Sequence, residues 1–283
     1  MAGVARAVKP ERHAWSHSFQ WRPPRGPYRR IRDDQAKSWD ELGFFVLEDA
    51  FDPATVARVV EEIAPFEAKS EAFLRKQPNG RFAIARADEI TFTTHLVARS
   101  PFLRDFCRHP VFCDLVHDLI GPDVRLYWDQ AVYKKPGTRA PFPWHQDNGY
   151  TFVEPEAYLT CWVALTDATE DNGCPRVVPR LHRGGTLTHR ATDLGFVCFD
   201  EAPAEVVAAP VRAGGIVVFS SLTPHATGPN LTRDERRAYI VQFAPEGAVA
   251  LRADGQGGIR REICDVAERQ YTVLRGGLPV SEG

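Results

Sequence analysis

After Pro122 the chain breaks into short runs rich in valine, tyrosine, tryptophan and phenylalanine, and this texture constrains the fold more than any other feature. The runs are VRLYWDQAVYKK, LTCWVALTDA, PRVVP, GGIVVFSS and RRAYIVQFAP, separated by clusters of Gly, Pro, Asn and Asp. β-Branched and aromatic side chains suit a pleated, half-buried surface, and the breakers mark turns. The pattern therefore predicts many short strands forming a sandwich or barrel. The first third reads differently. Asp52-Pro53 makes a cap and a first-turn proline, and Val56, Val59, Val60 and Ile63 then fall at i, i+3, i+4 and i+7 on one helical face. Phe112, Leu115, Val116 and Leu119 repeat that spacing between Pro110 and Gly121-Pro122. Residues 66–100 show no clear period beyond a turn-like Gln77-Pro78-Asn79-Gly80. Helices followed by strands predict a mainly β fold with flanking helices, packed outside an antiparallel double sheet, and not alternating βαβ units.

At 283 residues, with 43% hydrophobic and 25% charged residues, the chain is long enough to bury a core without disulfide staples. A net charge of −2 gives no case for a nucleic-acid or membrane partner. No apolar run approaches the roughly 20 residues of a spanning helix. The six cysteines contain no C-x-x-C pair, which argues against a zinc knuckle or a thioredoxin-like centre. Without a secretory h-region, the thiols read as reduced and the protein as cytoplasmic. Residues 1–35 are locally basic, with Arg6, Lys9, Arg12, Arg22, Arg25, Arg29, Arg30 and Arg32 ahead of any periodic pattern. They read as a solvated, partly disordered arm, with a docking tail as the alternative.

The stretch PWHQDNGY places His145 and Asp147 two residues apart. Alternate residues of a strand share a face, so an imidazole and a carboxylate could reach one metal ion from here. Alone the H-x-D pattern is weak. A third ligand would have to come from a distant strand. His225, which ends GGIVVFSSLTPH where a buried strand runs into a polar turn, suits that place. Two histidines and one carboxylate leave open positions, as in non-haem Fe(II) oxygenases, although zinc hydrolases can use the same donors. Arg236, eleven residues after His225, favours iron. A dicarboxylate such as 2-oxoglutarate chelates iron through its keto-acid end and needs a cation for the other carboxylate, which a guanidinium pairs bidentately. Arg237 would face the other way. The Thr227 hydroxyl could reach the same carboxylate.

PWHQDNGY, CWVALTDATEDNGCPRVVPRLHRGG and GGIVVFSSLTPHATGPNLTRDERRAY together resemble the phytanoyl-CoA dioxygenase family of Fe(II)/2-oxoglutarate oxygenases, over about Leu42 to Phe243. The resemblance implies a double-stranded β-helix, or jelly-roll, forming a single domain over residues 36–283. It implies iron held by His145, Asp147 and His225, with Arg236 on 2-oxoglutarate and Thr227 and Trp162 lining its pocket. O2 is the remaining cosubstrate, a small molecule the substrate, and hydroxylation with release of succinate and CO2 the reaction. Related halogenases replace the carboxylate ligand with a small residue, so Asp147 points to hydroxylation. Two departures, Gly214-Gly215 for a Gly-Asp turn and Pro179-Arg180-Leu181-His182 for Pro-Gly-Ser-His, leave the ligands untouched. Of Lys134 and Lys135, Lys135 is the favoured anion contact, and Gln130 and Tyr150 are candidate substrate contacts. His182 reads as structural, and Asn172-Gly173 as a tight hairpin turn. The competing classes are a metal-dependent hydrolase or isomerase and a non-catalytic jelly-roll that binds a small molecule.

Overall fold

A computed structural model describes residues 10–280. Two antiparallel sheets face each other, and helices cover the outer face of the larger. In spatial order, the core of the larger sheet runs Phe44–Leu47, Ile216–Ser220, Leu159–Ala164, Arg236–Pro245, Val124–Lys134 and Ile90–Thr94. The smaller sheet runs Val207–Ala208, Pro175–Val177, His225–Thr227 and Phe142–His145. This is the expected jelly-roll core with its helices outside.

The two-residue period of a strand decides what enters the space between the sheets. Along Arg236–Pro245, Ala238 and Ile240 join Val132, Trp162, Val177 and Phe219 in the inter-sheet core. Their neighbours Tyr239, Val241 and Phe243 point outward and join Val59, Ile63, Leu103 and Phe112 on the helix side. A bulge interrupts the pairing with Val124–Lys134: Gln242 lies opposite Trp128, but Phe243 lies opposite Leu126. The extra residue lets neighbouring Tyr127 and Trp128 both border one cavity between the sheets.

Both predicted helices form. Asp52 caps the first, its side chain accepting from Thr55 N at 2.7 Å, and the helix runs Pro53–Leu74, well past Ile63. Its second half meets the sheet through polar pairs: Glu67 Oε1 lies 2.6 Å from Lys135 Nζ and 3.2 Å from Thr91 Oγ1, and Ser70 Oγ lies 3.1 Å from Thr93 Oγ1. The second helix is Pro110–Leu119. Residues 81–86 form a short hairpin, Arg81–Phe82 with Ala85–Arg86, at the edge of the larger sheet.

The expectation of a solvated N-terminal arm does not hold for residues 10–32. His13 N donates to Thr186 O at 2.7 Å, Ser16 Oγ to Glu156 Oε2 at 2.6 Å, and Trp15 lies edge-on to Phe152. Trp21 Nε1 donates to Asp40 Oδ1 at 2.7 Å. The aromatic and hydroxyl side chains tie this segment down while its arginines face outward. Arg6 and Lys9 lie outside the described residues. Asn172-Gly173 is a turn with Gly173 at φ +85°, where a Cβ would lie 2.5 Å from Gly228 O. It crosses between the two sheets and does not close a hairpin, because Leu159–Ala164 and Pro175–Val177 belong to different sheets. No helix among the described residues is long and apolar enough to cross a membrane.

Candidate active site

The smaller sheet carries two of the three ligand-type side chains in register. His145 ends Phe142–His145, His225 opens His225–Thr227, and the two residues pair directly. Asp147 is not on the strand, as alternation had suggested. The strand stops at His145, and Asp147 is the first residue of a one-turn 3-10 segment, Asp147–Gly149. The turn still brings its carboxylate to the imidazoles: Oδ1 lies 3.9 Å from His145 Nε2 and 3.7 Å from His225 Nε2. One donor atom from each residue falls within 4.8 Å of the others.

Hydrogen bonds fix which ring nitrogens face inward. His145 Nδ1 is 2.8 Å from Pro143 O, and His225 Nδ1 is 3.0 Å from Thr223 O. A carbonyl only accepts, so each Nδ1 carries the proton and each Nε2 offers a lone pair to the common point. Burial pushes the His145 imidazole down to about 3 and His225 to about 4, so both are neutral at pH 7. Burial raises Asp147, and the Thr160 hydroxyl opposes this by donating to its Oδ2 at 2.6 Å. Gln242 Nε2 in turn donates to Thr160 Oγ1 at 3.3 Å. Two neutral imidazoles and a braced carboxylate converging in a buried place suit a divalent cation.

Residues facing away from that point lock the turn, and single-sequence reasoning missed them. The fully buried Gln146 side chain donates to Gly185 O (3.1 Å) and Leu222 O (2.6 Å) and accepts from Leu187 N (2.6 Å). It thus ties the His145 strand to the segment leading into His225. His189 Nε2 accepts from Gln146 N at 2.9 Å. Its ring lies so near Gly149 that a Cβ there would come within 2.2 Å. Thr160 was within reach of sequence reasoning, because it shares the face of Trp162 two residues on. Thr160→Val is expected to lower affinity for a divalent metal by about 10–100-fold, the usual cost of losing a hydrogen bond to a ligand. Metal titration of the variant checks this, and unchanged affinity would remove Thr160 from the account.

Arg236 lies on the inner face, 1% exposed, with its guanidinium over the Trp162 ring at 5.1 Å. Its one hydrogen bond is from Nη1 to Val132 O at 3.4 Å, and Nε and Nη2 are buried without a partner. Burial lowers it only to about 10, so it stays charged at pH 7. Arg236, Thr227, Trp162 and Gln130 line the same pocket as His145, Asp147 and His225. Arg237 points outward, paired with Glu235 at 2.7 Å. A buried, unpaired guanidinium is costly unless an anion meets it, so this pocket fits the far carboxylate of a dicarboxylate.

The Lys135 expectation is corrected. Lys135 points to the helix side, with Nζ 2.6 Å from both Glu67 and Glu235, and does not reach the pocket. Lys134, opposite Arg236 in register, faces inward, 2.5 Å from Gly228 O and 3.3 Å from Thr227 Oγ1. Burial and the neighbouring Arg236 lower its amine to about 7. Gln130 and Tyr150 both line a cavity of about 410 Å3 that opens onto His145 and Asp147. His182 is buried away from the site, with Nε2 3.0 Å from Asp40 O.

Against this geometry, the family model described as phytanoyl-CoA dioxygenase (PhyH) matches residues 39–238. The chain is 25% identical over 250 residues to a probable alpha-ketoglutarate-dependent hypophosphite dioxygenase of Stutzerimonas stutzeri, covering 80% of this chain and 82% of the relative. It is 26% identical over 243 residues to a methylphosphonate hydroxylase of Gimesia maris, covering 83% and 89%. Among solved structures, the epimerase SnoN, in complex with Fe3+, alpha ketoglutarate and nogalamycin RO, superposes with a TM-score of 0.65 at 20% identity. It covers 85% of this chain and 97% of that one, a likeness of fold. With well over half of its length matched, the chain belongs to the phytanoyl-CoA dioxygenase family.

Proposed function

We propose that this chain is an Fe(II)/2-oxoglutarate-dependent dioxygenase that hydroxylates an unactivated C–H of a small organic molecule of natural-product, lipid or acyl type. The observation that carries the reading is Arg236, a buried cation with two unpartnered nitrogens, in the same pocket as the His145–Asp147–His225 donors. A hydrolase or isomerase using those donors has no need of the guanidinium, and a binding protein has no need of the donor set.

In this reading His145, Asp147 and His225 hold iron, and Arg236 pairs with the far carboxylate of 2-oxoglutarate beside Thr227 and Trp162. Iron and 2-oxoglutarate supply the oxidising chemistry when bound, consuming O2 and giving succinate, CO2 and an alcohol. The protein orients and excludes water. Thr160 and Gln242 hold the Asp147 carboxylate, the Nδ1–carbonyl bonds hold the imidazoles, and the inter-sheet apolar layer closes the rear of the pocket. Lys134 holds the Thr227 hydroxyl and the Gly228 carbonyl beside the guanidinium. Gln130 and Tyr150 touch the substrate from the cavity side. Residues 36–283 act as one oxygenase domain. A cytoplasmic location agrees with the six free, buried cysteines.

Anaerobic addition of Fe(II) and 2-oxoglutarate is expected to give a weak visible charge-transfer band, and its absence in metal-loaded protein would reject the reading. Asp147→Gly is expected to lose hydroxylation, assayed by succinate and product formation. Hydroxylation retained in that variant would show that the carboxylate is not an essential ligand.

A further inference from the structure

The cavity of about 410 Å3 in front of His145 and Asp147 carries almost no charge. No lysine or arginine is among the described residues that line it, and Asp147 is its one acidic group. Its walls are Phe92, Tyr127, Trp128, Phe142, Tyr150 and Tyr158, three of them from the two adjacent strands Ile90–Thr94 and Val124–Lys134. The bulge that turns Tyr127 and Trp128 to the same side makes this wall doubly aromatic. The neighbouring cations are committed elsewhere. Arg99 donates to the Thr94 and His95 carbonyls and lies 5.0 Å over the Phe66 ring. Arg269 Nη1 lies 3.4 Å from His95 Nε2, on an imidazole set edge-on to Trp128. Arg81 holds Ala83 O and Asp193 at the rim.

We propose that this cavity takes an uncharged, largely apolar organic molecule with ring or branched-chain bulk, and rejects small oxyanions. The inference rests on the oxygenase reading for calling that molecule the substrate. An oxyanion leaving water for this cavity would find no free counter-cation, since Arg236 is taken by the cosubstrate's far carboxylate and the charge of a divalent metal is matched by Asp147 and the cosubstrate's keto-acid end. The volume lies within the range of roughly 300–1,000 Å3 typical of drug-sized ligands, far larger than a hypophosphite or methylphosphonate ion needs. The remaining polar side chains, Thr94, Gln130, Thr151 and Gln242, are all neutral. Thr94 and Gln130 pair in register, so one carbonyl or hydroxyl of the ligand can meet a donor and an acceptor together. Two relatives are named for small oxyanions. The cavity of this chain, with no lysine or arginine among the described residues that line it, does not suit such an ion.

The test uses two probes with one ring frame, run on protein loaded anaerobically with Fe(II) and 2-oxoglutarate. N-Phenyl-1-naphthylamine is neutral, and 8-anilino-1-naphthalenesulfonate adds a sulfonate. The neutral probe is expected to bind at least tenfold tighter by fluorescence titration. Thr94→Trp, which fills the cavity, and Trp128→Ala, which removes an aromatic wall without filling it, are each expected to weaken it at least fivefold. Methylphosphonate at millimolar concentration is expected neither to displace the probe nor to stimulate succinate release in air. Equal or tighter binding of the sulfonate, undiminished probe binding in both variants, or a response to methylphosphonate would overturn the proposal. The charge-transfer band, recorded on the same samples, separates the two readings. If it is absent while the neutral preference holds, the oxygenase reading falls alone. If it is present while the sulfonate wins, the substrate class falls alone.

Discussion

His225→Ala is expected to reduce succinate formation to background. The ring supplies one of only two neutral imidazole lone pairs in the donor cluster, and no other described residue can take its place, because the cluster contains three ligand-type groups. Water entering the vacated space could complete a coordination shell but would not restore a donor fixed by a carbonyl on its far nitrogen, as Thr223 O fixes His225. Metal content after desalting, read with the succinate assay, distinguishes loss of metal from loss of turnover. Circular dichroism checks that the strand pairing of His225 with His145 and Val177 survives. Full activity in the variant would end the site assignment.

Replacing Arg236 produces two effects of opposite sign. Truncating one partner of a buried charged pair costs about 2–5 kcal/mol, or roughly 30-fold to several-thousand-fold in affinity. Arg236→Met is therefore expected to raise the 2-oxoglutarate requirement by at least ~30-fold. Arg236→Lys should fall between, since an ammonium keeps the charge and loses the fork. The protein without cosubstrate should show the reverse. Methionine removes a buried, unpaired charge, so its melting temperature is expected to match or exceed that of the parent. The two measurements together are diagnostic. A lower melting temperature with an unchanged 2-oxoglutarate requirement would make Arg236 a structural residue and move the clamp elsewhere.

The parts of the site legible in the sequence rest on residue type, and in the strand Arg236–Pro245 on the two-residue period as well; Asp147 reaches the imidazoles from a 3-10 turn and not through that period. His145, Asp147 and His225 carry donor chemistry, and the parity of RRAYIVQFAP separates Arg236 from Arg237. Lys134 and Lys135 show where this stops. Parity says that one faces inward, but choosing between them needs the register against Arg236–Pro245, a long-range property that one strand does not encode. The helix Pro53–Leu74 illustrates a second limit. Its apolar period ends near Ile63 because Glu67 and Ser70 meet the sheet through polar pairs, so helical structure continues where hydrophobic periodicity does not. Gln146 and His189 illustrate a third. Their partners lie some forty or more residues away in the chain, and nothing local distinguishes them from solvent-facing polar residues.

The family match begins at residue 39, yet residues 10–19 brace the loop that holds the ligand turn from behind. His13 and Glu11 bond the backbone at Thr186 and Thr188, and Ser16 shares Glu156 with Thr186, next to the Leu187 amide that Gln146 grips. A protein trimmed only at its N-terminal side, to begin at residue 39, would keep His145, Asp147 and His225 and lose its outer buckle. Loosened coordination, with every ligand still present, is the defect to expect from such a truncation.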